Sequence, residues 1–272
     1  MTDVAALRAK MYGEDDLSSI PVFAGGFINY GYWRDIPLDG PISEEQRVES
    51  QLALYRLVYA DLVGAKVVEV GPGTGVGPGW AFAECLPAEL HGVDLHQEQV
   101  QRCVERNREA VAASGGRLSF RQGAADALPF GDGVADAVVS VEAAQHFDDL
   151  GGFAREAFRV LAPGGRLVVA TFFVPHESVV GTLPRMLEPF ADGVDREHPV
   201  PLFAADLAAA GFGGVGVESI GADVWPGLDA WVAQLGAAEG TWPRRYLTAF
   251  RDGLLDYYVV TARKSPHPTD RG

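Results

Sequence analysis

From Ser43 onward the sequence alternates between strand patterns and helix patterns, and this alternation limits the folds that the chain can adopt. Short apolar segments are separated by segments whose apolar residues recur at helical spacing. Strands that alternate with helices in this way are joined by right-handed crossovers and form a mostly parallel sheet. The pattern therefore predicts a doubly wound α/β fold.

Individual elements of this pattern have recognisable ends. A helix is predicted to begin after Ser43, because Ser43 and Gln46 occupy the two positions of a capping box, and to end at Gly64. Further strand patterns lie at residues 66–70, 118–121, 135–141, 166–174, 214–222 and 254–264, with one more ending at residue 94. Further helix patterns lie at residues 76–85, 96–113, 148–161, 203–210, 228–235 and 244–251.

Segments outside the alternation divide the chain further. Residues 1–43 contain aromatic residues among glycines, and this composition suits a helical lid that closes over a bound ligand. Residues 44–264 are predicted to form the main domain. Within it, residues 175–201 carry five prolines, which predicts a cap inserted after the fifth strand. Residues 265–272 are predicted to be a disordered tail.

A glycine-rich loop follows the first predicted strand. In the segment VVEVGPGTGVG, Glu69, Gly71, Gly73 and Gly75 occupy alternate positions. Glycine allows a ligand to approach the backbone closely where the chain turns into a helix, although such turns also serve packing alone. In nucleotide sites an acidic residue at the end of the next strand accepts hydrogen bonds from ribose hydroxyls, and Asp94 occupies that position.

Three further features bear on which nucleotide would bind. Val76 stands where the dinucleotide-binding pattern requires glycine, which argues against a nicotinamide or flavin cofactor. The segment GAADALPF places Asp126 after the third strand, where its carboxylate can accept a hydrogen bond from the adenine amine while Ala127 and Leu128 pack on the ring. The segment VLAPGGRLVVA places a Pro-Gly-Gly turn before the fifth strand.

These segments, in this order and spacing, resemble the class I S-adenosylmethionine-dependent methyltransferases over residues 48–174. The segments FINYGYW and LLDYYVVTARK resemble the branch of that family that methylates sugars, macrolides and other natural products. The resemblance implies a Rossmann-like sheet of seven strands whose last strand is antiparallel. It also implies that the cofactor is S-adenosyl-L-methionine.

The resemblance also implies roles for individual residues. The glycines of the loop would face the methionine part of the cofactor, and Glu69 would orient the loop or reach the methionine amine indirectly. Asp94 would hold the ribose, and Leu95 would lie against the adenine. The other implied contacts are Ala125, Asp126 and Ala127 at the adenine, Tyr30 and Trp33 from the lid, and Gln51 from the first helix. An alternative role for the lid aromatics is packing on the sheet edge.

Methyl transfer to a hydroxyl or amine also requires a base with a pKa near neutrality. His146 follows the fourth strand, at the sheet edge where ligands bind, and the resemblance extends the role of general base to it. Glu142 would support His146 or line the cofactor pocket. In the alternative, His146 caps a helix or packs on Phe147. His176 or His198, both in the cap, would then reach the acceptor.

Composition limits the class of substrate and partner. The chain has 22 basic and 37 acidic residues, for a net charge of −15, and such a surface repels nucleic acid. No apolar run approaches the ~20 residues that cross a bilayer, and the first residues lack a secretion signal, so we expect a cytoplasmic protein without membrane or nucleic-acid partners. No residue pattern predicts a metal site. We expect a monomer or homodimer.

The predicted activity is methyl transfer from S-adenosyl-L-methionine to a small-molecule acceptor, with oxygen of a natural-product intermediate as the acceptor atom. Two other functions are compatible with the same cofactor site. The fold can host a cyclisation or rearrangement without methyl transfer, because fold does not fix function. The chain could also be a non-catalytic module that binds the cofactor.

Overall fold

A seven-stranded sheet forms the centre of the protein in a computed structural model that describes residue 7 and residues 20–266. The strand order is β3-β2-β1-β4-β5-β7-β6. The strands are β1 (Lys66–Val70), β2 (Glu89–Asp94), β3 (Leu118–Gln122), β4 (Ala135–Val141), β5 (Leu161–Phe173), β6 (Gly213–Ser219) and β7 (Asp256–Arg263). Strands β1 to β5 pair in parallel and β7 runs antiparallel to β5 and β6. The predicted fold class is therefore confirmed.

Helices connect the strands and cover the sheet. They are α1 (Glu44–Val58), α2 (Val76–Glu84), α3 (Gln97–Arg106), α4 (Arg108–Ala113), α5 (Leu150–Val160), α6 (Glu188–Ala191), α7 (Val200–Ala210), α8 (Trp225–Gln234) and α9 (Arg245–Arg251). Of the predicted lid, residues 1–6 and 8–19 lie outside the described residues, as do residues 267–272 of the predicted tail. Within residues 20–266, no helix is both long enough and apolar enough to cross a membrane.

Both faces of the sheet are buried. Val67 and Val68 are neighbours on β1, yet they belong to different hydrophobic clusters, one on each side of the sheet. The same alternation separates Val168 from Leu167 on β5. Because helices cover both faces, the carboxyl edge of the parallel strands is the place where a ligand can reach the chain. The strand order reverses between β1 and β4, which places the topological switch point there.

The start of α1 follows the predicted capping box. The Ser43 hydroxyl accepts a hydrogen bond from the Gln46 N–H at 3.2 Å, and the Gln46 side chain accepts one from the Ser43 N–H at 2.9 Å. Two backbone donors that the first turn leaves unpaired are thereby satisfied. This local prediction is confirmed.

The prediction of one helix over residues 96–113 is wrong. Helix α3 ends at Arg106 and α4 begins at Arg108, because Asn107 between them has φ −104° and ψ 20°. The Asn107 amide donates to the carbonyls of Gly75 and Cys103, each at 2.9 Å. An asparagine side chain that bonds backbone carbonyls competes with helix continuation. At this break, the Asn107 side chain therefore connects the glycine-rich loop to α3.

Strand β5 also begins earlier than predicted, at Leu161 rather than at Arg166. Ala135 pairs with Leu161 and Ala137 with Arg166, so the Pro-Gly-Gly turn is a bulge inside the paired strand. Gly164 in this bulge has φ 85°, which glycine adopts without strain.

A buried arginine fixes the aromatic segment that precedes α1. The Arg47 side chain is fully buried and donates to the backbone carbonyls of Val22, Asn29 and Tyr30. Ser50, one turn further along α1, leaves no space for a side chain at position 31. A Cβ on Gly31 would lie 2.3 Å from the Ser50 hydroxyl oxygen. These contacts hold the segment over the carboxyl edge of the sheet.

Candidate active site

A cavity of about 650 Å³ opens at the carboxyl ends of β1, β2, β4 and β5. Its volume lies within the ~300–1,000 Å³ that is usual for small-molecule sites. One end is lined by the glycine-rich loop and by residues that follow β2 and β3. The other end is lined by β5, the insert after β5, α8 and the segment that enters α9. Residues that follow β4 lie between the two ends.

Two of the loop glycines line this cavity. Gly71 has φ 78°, and a Cβ on it would lie 2.2 Å from the Cβ of Ala143. Gly73 has φ 57°. Of the atoms near it, a Cβ would meet only the Ile28 side chain, at 3.7 Å or more. The loop therefore presents bare backbone to the cavity, as a nucleoside cofactor requires.

Gly75 has a different role. It does not line the cavity, and a Cβ on it would lie 2.8 Å from the Cα of Cys103 in α3. Gly75 also provides the left-handed residue before α2, with φ 82°. The close approach of two backbones, rather than ligand contact, explains glycine at this position.

Asp94 and Asp126 line the end of the cavity formed by the glycine-rich loop, here called the nucleoside end because the sequence predicts a nucleoside there. Asp94 lines the cavity at the end of β2, and its Oδ1 accepts a hydrogen bond from the His96 N–H at 2.9 Å. Burial raises the pKa of Asp94 to about 6. Exposed Leu95 also lines the cavity, with Ala125 and Asp126 from the loop after β3, whereas Ala127 does not.

Glu69 lies behind the cavity rather than in its wall. Its carboxylate accepts hydrogen bonds from the hydroxyls of Tyr55 at 3.0 Å and Tyr59 at 2.5 Å. Burial raises the pKa of Glu69 to about 7, against the lowering effect of the two hydroxyl donors. Of these three residues only Tyr55 lines the cavity, so Glu69 is linked to the cavity wall through its hydrogen bond to Tyr55.

Gln51 and Trp33 also lie outside the cavity wall. The Gln51 amide donates to the carbonyls of Phe27 and Asn29 and so holds the N-terminal segment. Trp33 is buried in a separate cluster with Ile42 and Trp231. The structure thus places Gln51 against the segment that the sequence predicted as a lid, and Trp33, which belongs to that segment, away from the cavity wall.

Tyr30 and Glu142 meet at the middle of the cavity. The Tyr30 N–H donates to Glu142 Oε1 at 2.6 Å, and the Tyr257 hydroxyl donates to the same oxygen at 2.8 Å. Glu142 has φ 46°, an unusual value for a residue other than glycine, and such strain is concentrated at functional sites. Burial raises the pKa of Glu142 to about 8.

His146 lies in the same central region and pairs with a carboxylate from the insert. Its Nδ1 lies 2.9 Å from Oδ1 of Asp195 and 3.1 Å from the carbonyl oxygen of Val194. The Nε2 of His146 lies 3.0 Å from the Gln145 amide nitrogen. Because an amide nitrogen only donates, this contact assigns Nε2 as an acceptor and Nδ1 as the protonated nitrogen.

Asp195 was not predicted from the sequence. It is 5% exposed and comes from the insert, where an acidic residue carries no spacing signal that relates it to His146. Of the other histidines considered, His176 and His198 do not line the cavity, and His198 Nε2 lies 2.8 Å from the carbonyl oxygen of Phe147. In the described part of the chain, no group of three or more His, Cys, Asp or Glu residues is arranged to hold a metal ion.

Comparison with known proteins identifies the family. A methyltransferase domain model matches residues 68–169. The erythromycin 3''-O-methyltransferase of Saccharopolyspora erythraea is 33% identical over 241 residues, which cover 85% of this chain and 76% of that protein.

Two solved structures share the fold. Geranyl diphosphate C-methyltransferase from Streptomyces coelicolor A3(2), in complex with S-adenosyl-L-homocysteine, has a TM-score of 0.77 at 18% identity and covers 97% of this chain and 98% of that chain. The [4+2]-cyclase SpnF has a TM-score of 0.68 at 23% identity and covers 95% of each chain. The open backbone at Gly71 and Gly73 and the carboxylate of Asp94 fit the nucleoside cofactor of this family. The chain belongs to the class I S-adenosylmethionine-dependent methyltransferases, in the branch that acts on small molecules.

Proposed function

We propose that this protein methylates a hydroxyl oxygen of a small natural-product-like acceptor, with His146 as the general base. The observation that carries the proposal is the pairing of His146 with Asp195 between the two ends of the cavity. A histidine whose second nitrogen is held by a buried carboxylate has a fixed orientation and tautomer.

The cofactor would lie at the nucleoside end. Gly71 and Gly73 would lie against its methionine part, Asp94 would accept hydrogen bonds from the ribose hydroxyls, and Leu95 and Asp126 would border the adenine. When bound, S-adenosylmethionine supplies a methyl group that forms a bond to the acceptor oxygen as its bond to sulfur breaks. This division leaves the other end of the cavity for the acceptor.

His146 would remove the acceptor proton. With Nδ1–H directed at Asp195, Nε2 would accept the hydroxyl proton after the acceptor hydroxyl replaces the Gln145 amide as the donor to its lone pair, and the Asp195 carboxylate would stabilise the imidazolium that forms. His146 keeps 21% of its side chain exposed, so a hydroxyl can approach the ring. Before the acceptor binds, the Gln145 amide, which also donates to the Glu142 carbonyl, would hold the imidazole from the Nε2 side.

Glu142 and Tyr30 would position the reacting groups. Methyl transfer depends mainly on holding acceptor, methyl carbon and sulfur in line in a site that excludes water. The Tyr30 backbone is tied to Glu142, and its ring lies 5.8 Å from that of Phe172 in a stacked arrangement. These contacts keep the aromatic segment closed over the centre of the cavity.

Oxygen as the acceptor atom has independent support in the name of the relative from S. erythraea, which acts at an oxygen. A second candidate function is a cyclisation without methyl transfer, because the solved cyclase shares the fold. A third is binding of the cofactor without catalysis. The products distinguish these three functions.

The test is a mass-spectrometric assay with S-adenosylmethionine and a panel of apolar alcohols and matched amines. O-methylation predicts a methyl ether that is heavier than the alcohol by one CH2 group, with an equal amount of S-adenosylhomocysteine. An isomerised product of unchanged mass would favour cyclisation. Cofactor binding by calorimetry without any product would favour the binding module, and methylated amines alone would contradict the choice of oxygen.

A further inference from the structure

The end of the cavity beyond Glu142 and His146, here called the acceptor end, has an apolar and aromatic wall. Its wall includes Phe172, Val194, Leu228, Val232, Trp242 and Tyr246. Phe172 and Tyr246 are buried, with ring centroids 5.9 Å apart. Such a wall favours a ligand with a large apolar body.

The ionisable side chains that face this end are acidic or neutral. Glu142 and Asp195 bring carboxyl groups, and His146 brings an imidazole. Among the described residues that line the cavity there is no lysine and no arginine. An anionic group on a ligand would therefore lie near two carboxyl groups without a cation from these residues.

Three of the arginines around this region already have partners. Arg244 makes two hydrogen bonds of 2.7 and 2.8 Å to Asp229, and Arg196 pairs with Asp148 at 2.6 Å. The buried guanidinium of Arg47 is directed at three backbone carbonyls of the N-terminal segment. To pair with a ligand, each arginine would have to give up these partners.

We propose that the acceptor is a predominantly apolar molecule that is neutral or carries an amine, and that carboxylate, phosphate and sulfate acceptors are rejected. A carboxylate moved into this end loses its hydration without gaining an opposite charge, and this loss is costly. An alcohol loses much less hydration free energy than a carboxylate does. A protonated amine loses hydration too, but it gains the two carboxyl groups as hydrogen-bond partners. The proposal rests on the proposed function only in that the acceptor end holds the acceptor.

The test compares three matched probes by calorimetry on the full chain saturated with S-adenosylhomocysteine. The probes are 6-phenylhexan-1-ol, 6-phenylhexylamine and 6-phenylhexanoate. We expect the alcohol and the amine to bind at least about tenfold more tightly than the carboxylate. Equal or tighter binding of the carboxylate, or no binding of the alcohol, would overturn the proposal.

Variants locate the effect within the cavity. Trp242 is 40% exposed at the wall, so Trp242→Arg adds a cation there, and we expect it to raise carboxylate affinity relative to the alcohol by about tenfold. Trp242→Gln separates loss of the ring from gain of charge. Leu235→Arg places the same charge on a residue that is 43% exposed and outside the wall. An equal gain in Leu235→Arg would contradict the proposed location.

S-adenosylhomocysteine binding is measured first for every variant and separates the two proposals. If the unmodified protein fails to bind this nucleoside, the proposed function fails. If the nucleoside binds but the probe preference is reversed, the acceptor class alone fails.

Discussion

The imidazole of His146 and the carboxylate of Asp195 lie 2.9 Å apart and join the segment after β4 to the insert after β5. The insert thus lines the cavity beside the proposed general base. A second contact, from His146 Nδ1 to the Val194 carbonyl at 3.1 Å, comes from the same part of the insert. The orientation of the proposed base therefore depends on how the insert packs.

Removal of the base should separate catalysis from cofactor binding. We expect His146→Ala to lower kcat about 10²- to 10⁴-fold, because no positioned base then removes the proton of the substrate hydroxyl. Affinity for S-adenosylhomocysteine, measured by calorimetry, should change little. His176→Ala, which alters a histidine outside the cavity, is the control. An unchanged kcat for His146→Ala would reject the general-base role.

Loss of the Asp195 charge should lower kcat less than loss of His146, because Asp195 acts through the orientation of His146. We expect Asp195→Asn to lower kcat about tenfold to a hundredfold while the KM for S-adenosylmethionine stays constant. Asp192→Asn, in the same insert but outside the cavity wall, should be near normal. If the two residues act as a unit, adding Asp195→Asn to His146→Ala causes no further loss. Fully additive losses would show that Asp195 acts independently of the base.

The carboxylate of Asp94 should contribute to nucleoside affinity. We expect Asp94→Asn to weaken S-adenosylhomocysteine binding about 10- to 100-fold, because hydrogen bonds to a charged group are worth about 1.5–3 kcal/mol. Asp132→Asn, at an exposed site outside the cavity, is the matched control. Equal affinities for the two variants would remove Asp94 from the cofactor site.

Gly71 should tolerate a methyl group much less well than Gly64. Both have positive φ, so either alanine costs roughly 1–2 kcal/mol of strain. Only Gly71→Ala also meets Ala143, and this overlap should add about 1–3 kcal/mol to the loss of unfolding free energy. Chemical denaturation measures both variants. Ala143→Gly should restore most of the additional loss in Gly71→Ala, and failure of this rescue would contradict the steric explanation.

Glu69 should make the protein less stable as the pH rises. Its pKa is about 7 in the folded protein and 4.5 in an ordinary setting, so its stabilising effect is complete below pH 4.5 and is lost as the pH rises through about 7. In this interval the folded protein holds a proton that the unfolded chain has released, which contributes a slope of at most about 1.4 kcal/mol per pH unit.

The measurement for Glu69 is the thermal unfolding midpoint as a function of pH. Glu69→Gln should flatten the decline between pH 4.5 and 7, whereas Glu109→Gln, at an exposed position, should leave it unchanged. Asp94 and Glu142 have pKa values raised in the same direction, so part of the decline should remain. Identical slopes for Glu69→Gln and the unmodified protein would contradict this explanation.

Features set by local sequence could be predicted. The capping box at Ser43 depends on residues three positions apart, and the open turn at Gly71 and Gly73 depends on positive φ values that glycine permits. The positions of Asp94 and His146 at the cavity follow from their place after β2 and β4, because the parallel strands end at one edge of the sheet. For these residues, position along the chain determines position in space.

Tertiary structure decided which neighbouring residues face the cavity and what supports them. Gly75 is needed by the backbone of Cys103, Trp33 lies in a cluster with Trp231, and Asp195 reaches His146 from the insert. Each relationship joins elements that are distant in sequence, so no local spacing encodes it. The sequence by itself determined the order of strands and helices along the chain, the glycine-rich loop after β1 and the family. Packing decided that Asp195 contacts His146, the proposed base, and that the acceptor end combines an apolar wall with two carboxyl groups, because these relationships arise only where separate segments meet.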